Sequence, residues 1–306
     1  MTRMIASPYA DDLARIPVRE HHAVVRGSDT AWWEYGDPEA PVIVMVHGFR
    51  GDHHGLEPIV AKLPGYRVVV PDLPGFGASS TFAEGPHDID GYAAWLAEFV
   101  RVAGATDAAA PAGGAYALLG HSFGSIIAAA AVAGGLTPDE LVLVNPIGAP
   151  ALEGPRAIMT RLAVAYYRAS AALPSRLGFA LLRNRAIVRV MSVTMAKTEE
   201  PDLRRFIHDQ HDRYFSAFSD RDAVLEAFEA SVSHDVREYA PSIRVPVLLV
   251  VAERDDVTPL AAQHRLQPLF EDAHLAVIPG VGHLIHYETP AEAAGHIRVF
   301  LEGGRR

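Results

Sequence analysis

Short, continuously apolar runs recur along this chain, and between them the apolar positions change to helical spacing. The runs are Val42–Val46, Tyr66–Val70, Tyr116–Leu119, Leu141–Asn145, Val245–Val251 and His274–Ile278. They hardly alternate with polar positions, as expected of parallel strands covered by helices on both faces. Two earlier segments, His22–Arg26 and Thr30–Tyr35, predict an antiparallel hairpin turning at Gly27-Ser28-Asp29. Helices are predicted at Gly55–Leu63, Ile89–Ala103, Phe123–Ala133 and Pro290–Glu302, the last with proline where a missing N–H costs least. The small-residue tract Ala108–Gly114 predicts a surface loop. The whole reads as an α/β protein with a mostly parallel sheet.

The alternation stops at about Gly148. From there to Ser233 the pattern is helical only, rich in Ala, Leu, Arg and aromatics, and the strand rhythm resumes at Ile243. This predicts a helical insertion, residues 148–233, between two parts of one α/β core, residues 1–147 and 234–306. Such an excursion sits above the carboxyl edge of the sheet, where open α/β sheets bind ligands. The insertion is a candidate lid.

Composition narrows the function. The 306 residues are 49% hydrophobic and 21% charged, with a formal net charge of -10. A net acidic surface repels phosphates, so no nucleic-acid partner is expected. With no cysteine, disulfides, thiolate nucleophiles and cysteine-ligated metals are excluded. The opening stretch has Pro8, Asp11 and Asp12 where a secretory signal needs an apolar run, and the longest apolar tract, Ile126–Leu136, is too short to cross a bilayer. The expectation is a cytoplasmic protein with a small-molecule substrate and no stable membrane insertion. Its oligomeric state is not legible. No glycine-rich nucleotide motif stands in a suitable context, so no cofactor is expected.

The strongest chemical signal is Gly120-His121-Ser122-Phe123-Gly124, which follows a predicted strand and opens a predicted helix. A serine there sits on a tight turn at the sheet edge, and the flanking glycines remove side chains that would meet neighbouring backbone. A serine hydroxyl needs a base. Among fifteen histidines, His283 stands in a glycine-punctuated loop between the last strand and the last helix, with His286 as competitor. The imidazole needs an acid, and the loop after Val245–Val251 offers Asp255 first, then Asp256 and Glu253. Two backbone donors must hold an oxyanion. The N–H of Phe123, directly after the serine, is one; that of Phe49, in His47-Gly48-Phe49-Arg50-Gly51, is the other.

These motifs, with Asp72-Leu73-Pro74-Gly75-Phe76-Gly77-Ala78-Ser79 and the stretch from Glu253 to Pro259, resemble the α/β-hydrolase superfamily in kind and in order, from about Thr30 to Leu301. The resemblance implies an eight-stranded, mostly parallel sheet flanked by helices, with a helical cap inserted after strand six. It selects Asp255, four positions before Pro259, over Asp256, and it makes Asp72 part of a structural turn. Ala252 departs from the glycine common before the acidic loop. A serine at the elbow argues against haloalkane dehalogenases and cap-bearing epoxide hydrolases, which use aspartate. It fits a serine esterase cleaving a small hydrophobic ester through an acyl-enzyme. Alternatives are an amidase or lactonase, or a carbon–carbon hydrolase of a vinylogous diketone. From other classes come a ligand sensor with slow hydrolysis and a cofactor-free oxygenase.

Other groupings have plainer readings. Asp52, His53 and His54, with His47, lack the spacing of a metal site and read as loop or solvent-exposed residues. His208 and His211 read as surface decoration of a helix. Arg156, Arg161, Arg168, Arg176, Arg183, Arg185 and Arg189 read as a solvated face, with attraction of anionic substrates or an acidic membrane surface as the alternative. Tyr166, Tyr167, Phe179, Phe206, Tyr214, Phe215 and Phe218 are expected to pack the lid, some of them lining an apolar pocket above Ser122.

Overall fold

The computed structural model describes residues 5–104, 115–150 and 157–303. Ala108–Gly114 and Arg156 therefore lie outside the described residues. Eight strands form one sheet: β1 Val18–Val25, β2 Ser28–Tyr35, β3 Val42–Val46, β4 Arg67–Pro71, β5 Tyr116–His121, β6 Glu140–Val144, β7 Val247–Ala252 and β8 Ala273–Ile278. Their order is β1-β2-β4-β3-β5-β6-β7-β8. Only β2 runs against its neighbours, and every pairing from β4 to β8 is parallel.

The unbroken apolar runs follow from this arrangement. Strands β5, β6 and β7 are buried at every position. Successive side chains serve opposite faces. Val44, Val46 and Leu118 pack in the core that holds Trp95, Phe99 and Ile126, while Ile43, Met45 and Leu119 pack in the core that holds Ile59, Ala293 and Ile297. The helices Ile89–Val102 and Phe123–Ala133 thus cover one face, and Glu57–Val60 and Pro290–Gly303 the other.

Several boundaries differ from the sequence reading: β1 begins at Val18 rather than His22, and β7 at Val247, after Pro246, rather than at Val245. Val25 pairs with Ser28, so the hairpin turns on Arg26-Gly27, both at positive φ (47° and 78°). That is the two-residue turn whose twist matches flanking strands. Ser28 is drawn into β2 because its buried hydroxyl donates to Ser80 O at 2.8 Å. The helix expected over Gly55–Leu63 is shorter, a 3₁₀ turn at His53–Gly55 followed by Glu57–Val60.

Register sets up the site. Val46 lies beside Gly120, His121 beside Val144, Val144 beside Val250, and Ala252 beside Ile278. The carboxyl ends of β3, β5, β6, β7 and β8 are therefore level, and the loops that leave them share one edge. Among the described residues, five α-helices and then two 3₁₀ turns lie between β6 and β7; the α-helices are Ala157–Ala172, Ser175–Leu182, Arg185–Met195, Pro201–Tyr214 and Arg221–Ser233. Side-chain caps start two of them: Asn184 accepts from the N–H groups of Ala186 and Ile187, and Asp220 from those of Asp222 and Ala223. Among the described residues, no helix is long and apolar enough to cross a membrane.

Candidate active site

Ser122 is the hinge between β5 and the helix Phe123–Ala133, at φ 52°. Such a φ is costly for a residue with a side chain, of the order of 1 kcal/mol or more. It is maintained by close packing: a Cβ on Gly120 would fall 2.4 Å from Gly124 O, and one on Gly124 would fall 2.3 Å from Val46 O. Backbone this close leaves glycine as the fitting residue at both positions. Ser122 N–H donates to Val144 O at 3.0 Å, pinning the turn to β6.

The loop after β8 brings His283 over this serine. Its Nε2 lies 2.9 Å from Ser122 Oγ, and its Nδ1 lies 2.8 Å from Asp255 Oδ2. With Nδ1–H given to the carboxylate, Nε2 is left to accept the serine proton. Asp255 also accepts from Val257 N (2.7 Å), Thr258 N (2.9 Å) and Thr258 Oγ1 (2.5 Å). Burial opposes its charge, but His283 and the Thr258 donors outweigh it and hold the carboxyl well below the usual carboxylate range.

The other two acids of this loop point elsewhere. Asp256 pairs with Lys197, and Glu253 accepts from Gly280 N at 2.8 Å. His286 is buried against the edge of His121, with ring centroids 4.3 Å apart. Burial, then repulsion from neighbouring histidines, pushes His286 well below the ordinary histidine value and His121 down to about 3.

Phe49 and Phe123 both line the cavity that holds Ser122 and His283. Phe123 is the first helical residue, so its N–H has no acceptor within the helix. In the β3 loop, Gly51 N donates to Gly48 O at 3.0 Å, a turn whose one hydrogen bond does not engage the Phe49 N–H. A Cβ on Gly48 would come within 3.3 Å of Ser122 Cβ, so glycine lets this loop approach Ser122.

The cavity measures about 240 Å³. Its far wall comes from the inserted helices, through Met191, Met195, Gln210, His211, Tyr214, Phe215 and Phe228. Of the aromatics singled out in the sequence, Tyr214 and Phe215 reach the cavity. Tyr167 packs behind it on Phe49 and Phe228, Phe206 packs on Tyr9 and Tyr287, and Phe179 stacks with Phe218. Tyr166 donates to Leu181 O at 3.0 Å. Phe228 and the two methionines were missed because nothing in their spacing separates them from ordinary helix packing.

The reading of His208 and His211 as surface decoration is corrected. His211 is buried and lines the cavity, and both rings bond the hydroxyl of Ser192. Ile207 and His211, one turn apart, share the inward side of their helix with Phe206. His53 is not solvent-exposed either, and His54 is half-buried. His53 is buried, stacks on Trp33 and bonds Asp72, while His54 stacks on Tyr214 and bonds Asp52. Asp52, His53 and His54 set one donor atom each within 4.8 Å of one another, but both ring Nδ1 atoms are engaged by carboxylates. Asp72 also accepts from His53 N and Ala78 N, both at 2.8 Å, which orders the 72–79 turn. Arg161, Arg168, Arg176, Arg183 and Arg185 are exposed; Arg189 is half-buried and pairs with Asp212.

The link between the third and fourth inserted helices rests on both functional loops. The N–H groups of Lys197 and Thr198 donate to Glu288 Oε1 at 2.6 and 2.9 Å, and Lys197 Nζ lies 2.5 Å from Asp256 Oδ2. A Cβ on Gly282 would fall 2.5 Å from Lys197 Cγ.

The sequence profile of the alpha/beta hydrolase family matches residues 43–295, from β3 into the last helix. The chain belongs to the alpha/beta hydrolase family and is a hydrolase enzyme. It is 31% identical over 118 residues to a magnesium-chelatase 30 kDa subunit of Rhodobacter capsulatus, a match that spans only 38% of this chain and 39% of that protein. It is 26% identical over 261 residues to a 2-succinyl-6-hydroxy-2,4-cyclohexadiene-1-carboxylate synthase of Salmonella typhimurium, spanning 84% of this chain and 92% of the relative. In three dimensions it is similar to a thermophilic esterase from Thermogutta terrifontis, with a TM-score of 0.72 at 21% identity over 94% of this chain and 100% of the other. That last likeness is one of fold.

Proposed function

We propose that this hydrolase cleaves a small, largely apolar ester by acyl transfer through Ser122, working in the cytoplasm without a cofactor. The observation that carries the proposal is the unbroken hydrogen-bonded chain from Ser122 Oγ through His283 to Asp255, opening into a largely apolar cavity. His283 Nε2 takes the serine proton as Oγ attacks the carbonyl carbon. The oxyanion is held by the N–H groups of Phe49 and Phe123. When the tetrahedral intermediate collapses, the carbon–oxygen bond to the alcohol breaks and His283 returns the proton to the leaving oxygen. A water molecule, deprotonated by the same imidazole, then adds to the acyl-enzyme, and the acid leaves with Ser122 restored. Asp255 stabilises the imidazolium formed in each half.

We assign residues 148–233 the role of a cap. Its helices supply the wall opposite the serine and so set which acyl or alcohol groups fit.

Turnover of p-nitrophenyl butyrate tests the reading. Ser122→Ala is expected to lose at least about four orders of magnitude in kcat, and undiminished turnover in that variant rejects it. The same hydrogen-bonded residues also suit a second reading, carbon–carbon bond cleavage of a vinylogous diketone. Product analysis on a diketone and an ester separates the two.

A further inference from the structure

Arg50 carries two costs that its own loop does not relieve. Its backbone lies at φ 60°, in the left-handed region that disfavours residues with a side chain. Its side chain is buried, with 1% exposure, and burying a guanidinium is expensive unless its donors are matched. The matching comes from residues more than a hundred positions away. Nε donates to Phe215 O at 2.9 Å, one terminal nitrogen to Leu182 O at 2.8 Å and Ser216 Oγ at 3.4 Å, and the other to Tyr167 Oη at 3.3 Å. None of these acceptors is a carboxylate.

Their places in the chain explain why they suffice. Leu182 ends the helix Ser175–Leu182, and Phe215 caps the end of Pro201–Tyr214. Carbonyl oxygens at a helix C-terminus lack intrahelical donors and together carry the negative end of the helix dipole, about half a charge per helix. Two such ends converge on one guanidinium, and the rings of Phe215 and Phe218 each lie 5.3 Å from its carbon. The stretch that holds Arg50 is itself anchored to the core, by Gly77 N donating to Ala217 O at 2.8 Å and by a bridge between Phe76 and Phe218.

We propose that Arg50 is a positioning residue for the oxyanion hole, with the ends of two inserted helices holding the turn that aims the Phe49 N–H. Phe49 and Arg50 are the central residues of that turn, closed by Gly51 N to Gly48 O. Relaxing Arg50 to negative φ turns over the Phe49–Arg50 peptide, and the turn can stay closed only if Phe49 shifts as well, which moves its N–H relative to Ser122. The hole is thus complete only while the inserted helices are seated. The inference rests on the acyl-transfer reading above.

The test uses the full chain with Arg50→Met and Arg50→Lys, alongside Ser122→Ala. An alkyl boronic acid, to which Ser122 Oγ adds to form an anionic tetrahedral boronate, reports the oxyanion site, and KM for the neutral ester reports ground-state binding. Misaiming one donor should lower kcat on p-nitrophenyl butyrate by about tenfold to a hundredfold and weaken the boronic acid by a similar factor. KM should stay within about threefold, since a neutral ester carbonyl draws far less on the oxyanion donors than the tetrahedral anion does. Arg50→Lys keeps the charge but reaches one helix end, so it should fall between wild type and Arg50→Met; it carries the test alone if the methionine variant does not fold. Wild-type kcat and boronic acid affinity in folded Arg50 variants overturn the inference, as does a loss confined to KM. If Ser122→Ala is inactive in the same series, the acyl-transfer reading survives that result; if it turns over, that reading fails first.

Discussion

Asn145 donates its side-chain N–H to the main-chain oxygen of His283 at 2.8 Å, while its amide oxygen accepts from Ala252 N at 3.0 Å. One buried side chain, itself at φ 45°, ties the ends of β6 and β7 to the loop that carries the imidazole. Replacement by alanine strands both partners. Asn145→Ala should lose about 1–3 kcal/mol of stability and lower kcat more than it raises KM. Urea unfolding and steady-state kinetics on one preparation check both.

Asp255 and Asp256 are neighbours with different work. Asp255→Asn should lower kcat by roughly 10⁴ at nearly constant KM, because the amide cannot stabilise the imidazolium. Asp256→Asn touches the half-exposed pair with Lys197 and should stay within about threefold, as such pairs contribute little. Equal losses in the two variants move the acid to a different residue.

Gly124→Ala sets a methyl group against Val46 O, 2.3 Å away, and His47 O, 2.6 Å away. Both contacts are backbone, so nothing flexible can yield. The expected cost is about 3 kcal/mol or more. A melting temperature within a few degrees of wild type counts against the closeness of this packing.

Burial drives His121 and His211 down to about 3 and His286 well below its ordinary value, so all three are neutral in the fold. Unfolding lets each take up a proton below about pH 6.5. The unfolded state then binds more protons, and stability must fall as pH drops from about 6.5 towards 3, by up to about 1.4 kcal/mol per unit for each histidine. Asp255 adds to the loss lower down, since its stabilisation is present above the ordinary carboxylate value and disappears as pH falls through its depressed one. Urea titrations between pH 7 and 4.5 measure the slope, and His211→Gln should reduce it by about one proton.

Phe228 stacks on Tyr167 at 4.1 Å and lines the cavity beside Phe49. Phe228→Leu opens that wall. The ratio of octanoate to butyrate ester turnover should rise about tenfold, a few methylenes being worth that much. An unchanged ratio puts the acyl chain elsewhere.

The sheet was legible because its central strands are covered on both faces, which makes Val42–Val46 and Leu141–Val144 unbroken apolar runs. Ser122 was legible because three local requirements coincide there: a strand end, two glycines and a helix start. Asp255 was harder to read. Three acids share its loop, and what distinguishes it is the set of donors from Val257, Thr258 and His283, the last of which lies in another part of the chain. His211 was misread because its helix is polar on average and its inward side shows only against the neighbouring helices. Arg50 stood in view beside Phe49, but its partners lie 117 to 166 residues away, beyond the reach of any local pattern.

The seat of Lys197 on Glu288, Asp256 and Gly282 has a consequence for engineering. Exchanging the inserted helices with those of a relative, to change which molecules are turned over, would bring a foreign connector down on two loops shaped for this one. A chimera that keeps these contacts has to carry residues 253–256 and 282–288 with the graft, so the inserted helices and the two loops beneath them must be redesigned together.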